Sequence, residues 1–264
     1  MYGICNIAAL PMRAEASEKA EMVSQLIFGD AYQVVDTKDK WLKISTFDCG
    51  YEGWIDRKMH NPLHEKDVDD YKSSKKYVVS EYMFFVQDFL SRVNFPIFAG
   101  SSFPYPKDNT LILGNSIFSV SLLEKDGQPP LPNLTQAQSD ILRFASLFLN
   151  APYLWGGRTP VGIDCSGLTQ LAYKSIGISL PRDASQQAEV GELVDFVDEA
   201  CAGDLAFFQN SEGNIIHVGM VCDNKKILHA SGKVRIDPLD QTGIFDKATG
   251  KYTHLLRIIK RIMV

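Results

Sequence analysis

A glycine-rich stretch that runs into a cysteine and then into a helical pattern constrains the fold of this chain more than any other feature. Tyr153-Leu-Trp-Gly-Gly157 leads through a Pro-Val-Gly turn into Asp164-Cys-Ser-Gly167. Apolar residues then recur at helical spacing from 168 to 176, which predicts that Cys165 lies in the first turn of a helix.

The helix start bears on the chemistry of this cysteine. Free backbone N–H groups and the positive end of the helix dipole favour a thiolate, the nucleophilic form of cysteine. Asp164 opposes that activation and is expected to have another role. A small buried cysteine at a helix start is an equally good interpretation of this stretch taken alone.

Two later histidines favour a nucleophile. Ile215–Cys222 is an apolar run that predicts a buried strand with His217, and Lys226–Ser231 predicts the next strand, with His229. A hairpin of this length places the two rings near each other on one face. A lone His in an apolar strand is usually a packed core residue, but a nucleophile, a base and an orienting group require this combination.

Further motifs follow in order: Leu180-Pro-Arg182 with Ser185 and Gln186, Gly203–Phe208, His217-Val-Gly and His229-Ala-Ser. With the Asp-Cys-Ser-Gly motif they resemble the NlpC/P60 family of cell-wall cysteine peptidases over about residues 135–264. One branch is especially similar, the γ-D-glutamyl-L-diamino acid endopeptidases with two SH3-like domains ahead of the catalytic domain. The resemblance implies Cys165 as nucleophile, His217 as general base and His229 as orienting residue, although a structural hydrogen bond is the alternative for His229.

In the N-terminal part, short apolar runs separated by polar turns predict short strands, a pattern typical of a small barrel. Ala31–Asp36 and Trp41–Thr46 flank a charged loop, and Gly53-Trp-Ile55 completes an order similar to bacterial SH3-like domains. Glu81–Arg92 fits a helix, which leaves open a helical insertion. The resemblance instead implies a second, altered SH3-like domain there.

We therefore expect an α+β protein in which a papain-like NlpC/P60 catalytic domain follows two small SH3-like β-barrel domains. The expected domains are residues 1–62, residues 75–124 (altered) and residues 133–264. The polar stretch of residues 61–76 predicts a linker, and His60 and His64 near its start are expected to be solvated. Glu124–Pro132 predicts a second domain boundary. Thr135 is expected to cap the next helix, with Gln138 at the capping-box position.

Composition and charge argue against several functional classes of protein. A net charge of −5 in 264 residues argues against nucleic acid as a partner. No apolar run approaches the ~18 residues of a membrane span, and the first residues do not resemble a signal peptide. Five cysteines without a Cys-x-x-Cys pair indicate reduced thiols, a cytoplasmic location and no zinc site. No metal or organic cofactor is implied, and we expect a monomer.

The resemblance also implies a groove for a free N-terminal L-Ala followed by γ-D-Glu. The residues expected to bind this substrate are Tyr153, Asp164, Ser166 and Ser185, with Glu21 and Tyr51 from the first SH3-like domain. Asp164 suits the ammonium group of the substrate, whereas Glu21 fits a surface carboxylate equally well. Arg182 suits either the α-carboxylate of D-Glu or a structural salt bridge, and His254 is expected to be a surface or packing residue.

The expected activity is hydrolysis of the γ-D-glutamyl–L-diamino acid bond in murein tripeptides or tetrapeptides with a free N-terminal L-Ala. It would release L-Ala-D-Glu during recycling of cell-wall peptides, and the sequence leaves the diamino acid open. Two alternatives are an amidase or acyltransferase on the same fold and a binding protein for cell-wall peptides.

Overall fold

A computed structural model describes residues 1–121, 134–223 and 225–263, without the side chains of residues 134 and 135. The chain divides into two compact units, Met1–Pro130 and Leu131–Val264. The predicted boundary at Glu124–Pro132 and the predicted cap at Thr135 lie outside what is described. None of the helices in these ranges is both long and apolar enough to cross a membrane.

The first unit begins with an antiparallel sheet of seven strands in the order β3-β2-β6-β5-β4-β1-β7. These strands are β1 (Tyr2–Ile4), β2 (Ala9–Arg13), β3 (Met22–Ile27), β4 (Ala31–Lys38), β5 (Trp41–Thr46), β6 (Glu52–Asp56) and β7 (Pro62–Leu63). Alternation explains the strands locally: in β5, Leu42 and Ile44 are buried whereas Lys43 and Ser45 are partly exposed. A 3-10 helix, Arg57–Met59, follows β6.

As far as residue 121, the rest of this unit holds one helix and two smaller sheets. The elements are α1 (Glu65–Ser73), β8 (Lys76–Val78), β9 (Met83–Asp88), β10 (Asn94–Phe98), β11 (Ser102–Pro104), β12 (Thr110–Leu113) and β13 (Ser116–Ser119). The sheets have the orders β10-β9-β13-β12 and β11-β8.

Two expectations, the linker and a solvated His60, and one alternative are wrong for this part. The stretch expected to be a linker contains α1, whose Val68 is buried and whose first turn carries acidic residues that suit the helix dipole. The helical alternative at Glu81–Arg92 is replaced by β9, which pairs with β10 and β13. His60 is half-buried, with Nδ1 3.1 Å from the Tyr32 hydroxyl, whereas His64 is exposed.

One buried cluster joins the first sheet to the later strands of this unit. Phe28, at the end of β3, has no exposed surface. Its ring lies 5.8 Å from that of Phe103 and 5.1 Å from that of Phe118, both in edge-to-face geometry. Val68 of α1 and Val86 of β9 belong to the same cluster.

In the second unit, helices precede an antiparallel sheet, as the sequence predicts. The helices are α2 (Leu134–Ser146), α3 (Cys165–Ser175) and α4 (Ala184–Gln187), with a 3-10 helix at Val197–Glu199. The strands are β14 (Arg158–Thr159), β15 (Gly162–Ile163), β16 (Glu192–Val194), β17 (Leu205–Gln209), β18 (Ile215–Cys222), β19 (Lys226–Ser231), β20 (Lys233–Pro238), β21 (Gly243–Asp246) and β22 (Lys251–Arg261). The main sheet has the order β16-β22-β17-β18-β19-β20, and β21 pairs with β22.

Helix α3 packs against β18 and β19 at the centre of this sheet. Its apolar face, with Leu168, Leu171 and Ala172, is buried, and so are all but the ends of the two strands. This packing brings the first turn of α3 to the strands that carry the two predicted histidines.

Candidate active site

The cysteine lies where the sequence places it, in the first turn of a helix. Cys165 is the first residue of α3, and the preceding Asp164 is its N-cap. The Asp164 Oδ1 atom accepts a hydrogen bond of 2.7 Å from the backbone N–H of Gly167, which satisfies one of the free donors of the first turn.

Asp164 has a second role in a buried ion pair. Its Oδ2 atom accepts from Arg182 Nη2 at 2.6 Å and from the backbone N–H of Gly156 at 2.8 Å. Arg182, only 2% exposed, also donates from Nη1 to Asp164 Oδ1 at 3.1 Å and to Ser166 Oγ at 2.8 Å. The structure therefore supports the structural salt bridge for Arg182, and the carboxylate of Asp164 already accepts from five donor groups, including the Ser166 hydroxyl at 3.5 Å.

The surroundings of Cys165 favour the thiol. Burial, followed by the nearby Asp164 carboxylate, raises the pKa of Cys165 to about 12, despite backbone hydrogen bonds from Val218 and Ser166 and the charge of Arg182. Desolvation and the Asp164 carboxylate thus oppose the helix start, which by itself favours a thiolate. The contact with Val218 places the sulfur beside β18, next to His217 in sequence.

The two predicted histidines form a hydrogen-bonded pair. His217 in β18 and His229 in β19 are both buried, and His217 Nε2 lies 2.9 Å from His229 Nδ1. Gly219 stands directly opposite His229 in the ladder and makes room for this pair. A Cβ atom at position 219 would lie 2.9 Å from the Cβ of His229.

His217 is a neutral base in this setting. Burial first, and then the neighbouring His229 and His254, lower its pKa well below 6.5. Because Nε2 is engaged by His229, Nδ1 is the ring nitrogen left to accept a proton. Cys165 contacts the backbone of Val218, the residue that follows His217 in β18, so both predicted groups lie where α3 packs against this strand.

Sequence reasoning missed two contributors to this cluster. Asp237 of β20 is buried, and its Oδ2 atom lies 2.9 Å from His229 Nε2. His254 of β22 is a packing residue, which is one of the two roles expected for it. Its ring stacks on that of His217, the predicted base, with ring centroids 4.3 Å apart. Alternation along Lys233–Pro238 could have placed Asp237 on the face of His229, but only once that segment was recognised as a strand.

Comparisons with known proteins identify the family of the chain. Residues 150–253 match the model of the NlpC/P60 family, and residues 12–58 match that of the bacterial dipeptidyl-peptidase Sh3 domain. A gamma-D-glutamyl-L-lysine dipeptidyl-peptidase of Bacillus subtilis (strain 168) is 31% identical over 241 residues, which cover 85% of this chain and 78% of that protein. The chain belongs to the NlpC/P60 family.

Membership makes the chain a cysteine peptidase of α+β fold with an SH3-like N-terminal domain. A protein of the same name from Bacillus cereus (strain ATCC 10987 / NRS 248) is 27% identical over 258 residues, covering 89% of this chain and 76% of that protein. The crystal structure of an NlpC/P60 family protein from Bacillus cereus ATCC 10987 superposes with a TM-score of 0.82 and 21% identity, covering 100% of both chains.

The residues predicted to bind substrate occupy different parts of this NlpC/P60 protein. Tyr153 is half-buried, and its pKa is raised by burial, then by Cys165 and Asp164, which places its hydroxyl near both. Ser166 is buried in the contact with Arg182, and Ser185 is exposed on α4, which packs against β18. Glu21 and Tyr51 lie in the other unit, where Glu21 is exposed and the Tyr51 N–H donates to Thr46 Oγ1 at 3.2 Å.

Proposed function

We propose that this protein hydrolyses the γ-D-glutamyl–L-diamino acid bond of murein peptides with a free N-terminal L-Ala and releases L-Ala-D-Glu. The observation that carries the proposal is the contact of Cys165 with the backbone of Val218, next to His217 of the His217–His229 pair, because acyl transfer needs a nucleophile, a base and an orienting group close together. Relatives named gamma-D-glutamyl-L-lysine dipeptidyl-peptidase support the choice of bond.

The chemistry starts from a neutral pair. As the Cys165 sulfur attacks the scissile carbonyl, its proton moves to Nδ1 of His217, so a free thiolate never accumulates. The backbone N–H of Cys165 at the helix start is suited to the developing oxyanion. His217 then gives the proton to the leaving amine as the C–N bond breaks, which leaves a thioester. Water, deprotonated by His217, hydrolyses the thioester, and the proton returns to sulfur.

Recognition of the substrate's amino end follows from the family resemblance. Tyr153, Asp164, Ser166 and Ser185 are the positions that we assign to it in the catalytic unit. The Asp164 charge is already paired with Arg182, so the carboxylate does not form an exclusive ion pair with the substrate. Its role in this proposal is to lower the desolvation free energy of an ammonium group that binds nearby. Glu21 and Tyr51 stay sequence-based predictions for substrate recognition.

A free N-terminal L-Ala places the reaction in cell-wall peptide recycling. In intact wall the L-Ala is amidated to muramic acid, so only released peptides carry the ammonium group. A cytoplasmic location, where released wall peptides would be taken up again, is part of this proposal.

Mass spectrometry of reaction mixtures tests the proposal. The substrates are L-Ala-γ-D-Glu-L-Lys and L-Ala-γ-D-Glu-meso-diaminopimelate, each free and N-acetylated. We expect L-Ala-D-Glu from a free peptide, little from its acetylated form, and no product with Cys165→Ala. Cys222→Ala, a half-buried thiol of β18, is the matched control and should retain activity.

The outcomes separate the competing functions. Equal cleavage of free and acetylated peptides would keep the peptidase but remove recognition of the amino end. No cleavage of any of the four peptides would overturn the proposal and favour an amidase, an acyltransferase or a binding protein. Turnover that survives Cys165→Ala would refute the thiol mechanism itself.

A further inference from the structure

A continuous row of hydrogen-bonded groups extends behind the predicted base and ends at a carboxylate. His217 Nε2 lies 2.9 Å from His229 Nδ1, and His229 Nε2 lies 2.9 Å from Asp237 Oδ2. The three residues come from three adjacent strands, β18, β19 and β20, and are 5%, 1% and 7% exposed. Water therefore has little access to any link in the row.

The carboxylate decides which nitrogen of each ring carries a proton. An ionised carboxylate only accepts hydrogen bonds, so His229 Nε2 must be the donor toward Asp237. In the neutral His229 ring, Nδ1 is then an acceptor, and His217 Nε2 must donate to it. In the neutral His217 ring, Nδ1 is left with its lone pair, which is the form that can take a proton from the thiol.

Other contacts keep Asp237 ionised and in place. Arg235 donates to both carboxylate oxygens, with Nε 2.6 Å from Oδ2 and Nη2 2.8 Å from Oδ1. Burial alone would raise the pKa of Asp237, but the hydrogen bonds from His229 and Arg235 hold it below its usual value. Arg235 is also 3.5 Å from Asp246, so its own charge is shared between two carboxylates.

A charge at this end of the row matters for the reaction. When His217 takes the thiol proton it becomes an imidazolium, and the His229 imidazole can orient that cation but has no negative charge to neutralise it. Burial and His229 lower the pKa of His254, which stacks on His217, to about 4, so this ring is neutral at pH 7 and cannot neutralise the cation either. Among the described residues that contact the two rings, Asp237 is the anionic one.

We propose that Asp237 is a positioning residue of the active site, which fixes the tautomers of His229 and His217 and stabilises the imidazolium formed on His217. The inference rests on the proposed function, since it assigns the base role to His217. It extends the cysteine and two histidines by a fourth side chain that acts through His229 without touching the substrate.

The test compares Asp237→Asn with Asp246→Asn in the full-length chain. Each variant removes one of the two carboxylates that pair with Arg235, but of these two residues only Asp237 contacts His229. We expect Asp237→Asn to lower kcat for the free tripeptide at least about tenfold with KM within about twofold. Asp246→Asn should keep both constants near those of the wild type.

A spectroscopic measurement on the same proteins does not depend on turnover. Imidazole ¹⁵N shifts in histidine-labelled protein report which ring nitrogen carries the proton. In the wild type we expect the proton on Nε2 of both His217 and His229, and in Asp237→Asn a loss of that preference. Wild-type rings protonated on Nδ1 would overturn the inference even if the variant fails to fold.

The results distinguish this inference from the proposed function. Cysteine-dependent cleavage with unchanged kcat and unchanged ¹⁵N shifts in Asp237→Asn would refute the role of Asp237 and leave the peptidase intact. An inactive wild type would refute the peptidase, and the ¹⁵N shifts would still decide whether Asp237 sets the two tautomers.

Discussion

At the scale of single residues, the sequence identifies the chemical groups but not their ionisation. The motifs locate Cys165, His217 and His229, because each lies in a short pattern with a recognisable local structure. The direction of the Cys165 pKa shift could not be predicted, since it depends on burial against β18 and on a neighbouring carboxylate that is buried with Arg182. Asp237 was out of reach for a similar reason, because strand register brings it to His229.

The neutral thiol leads to a testable prediction on cysteine labelling. Because burial and Asp164 raise the pKa of Cys165 to about 12, little of it is thiolate at pH 7, and the thiolate is the form that iodoacetamide attacks. We expect the exposed Cys201 to be alkylated before Cys165 at pH 7, and labelling of Cys165 to keep rising above pH 9. Peptide mass spectrometry after timed labelling measures both sites in one sample.

The control for this experiment is His217→Ala, which removes the neighbouring base. If His217 is neutral in the resting protein, its removal changes the labelling rate of Cys165 at pH 7 by less than about threefold. Faster labelling of Cys165 than of Cys201 at pH 7, lost in His217→Ala, would instead indicate a preformed thiolate–imidazolium pair.

At the scale of elements, the start of α3 combines a helix cap with a buried ion pair. The sequence predicted the helix start from periodicity and the glycine-rich turn. It left Arg182 open between two partners, because position 182 lies 18 residues from Asp164 along the chain and only packing decides the pairing. The result is a helix terminus whose cap, charge balance and neighbouring loop depend on one carboxylate.

Removal of that carboxylate should destabilise the second unit strongly. Asp164→Ala takes away the N-cap, worth about 1 kcal/mol, and leaves buried Arg182 without its carboxylate, which costs about 3–5 kcal/mol. We therefore expect a loss of at least about 3 kcal/mol in the free energy of unfolding, measured in urea. Asp240→Ala is the matched control, because Asp240 also accepts from two backbone N–H groups, of Thr242 and Gly243, but lies in a partly exposed turn.

A double variant checks the cause. If the uncompensated charge dominates, Arg182→Leu in the Asp164→Ala background should recover part of the lost stability. Equal losses in Asp164→Ala and Asp240→Ala would show that the ion pair contributes little beyond the cap.

At the scale of the whole molecule, the sequence predicted the catalytic unit better than the N-terminal one. In the catalytic unit, the helices and then the strands follow apolar periodicities that can be recognised in the local sequence. In the N-terminal unit, Val68 lies in a segment expected to be a linker, and Val86 lies in one for which a helix was an alternative. Both are buried in one cluster with residues of the first sheet. Local periodicity carries no information on such long-range burial. The division at residues 62 and 75 into two SH3-like domains therefore stays a prediction.

The shared cluster predicts that the two larger sheets of the first unit lose structure together. Phe28 is fully buried, and its ring contacts Phe95, Phe103 and Phe118 from the later strands. Phe28→Ala should cost about 3–5 kcal/mol and lower hydrogen-exchange protection in both β1–β7 and β9–β13, measured by mass spectrometry on the full chain.

Leu26→Ala is the matched control, because Leu26 is equally buried but belongs to a second cluster formed within the first sheet and its loops. It should lower protection in β1–β7 and largely spare β9–β13. Loss of protection confined to β1–β7 in Phe28→Ala would mean that the two sheets are stabilised separately, as expected of two independent SH3-like domains. Joint loss would mean that the unit folds around Phe28 as a single cooperative body, since the strands of both sheets then depend on one set of aromatic contacts.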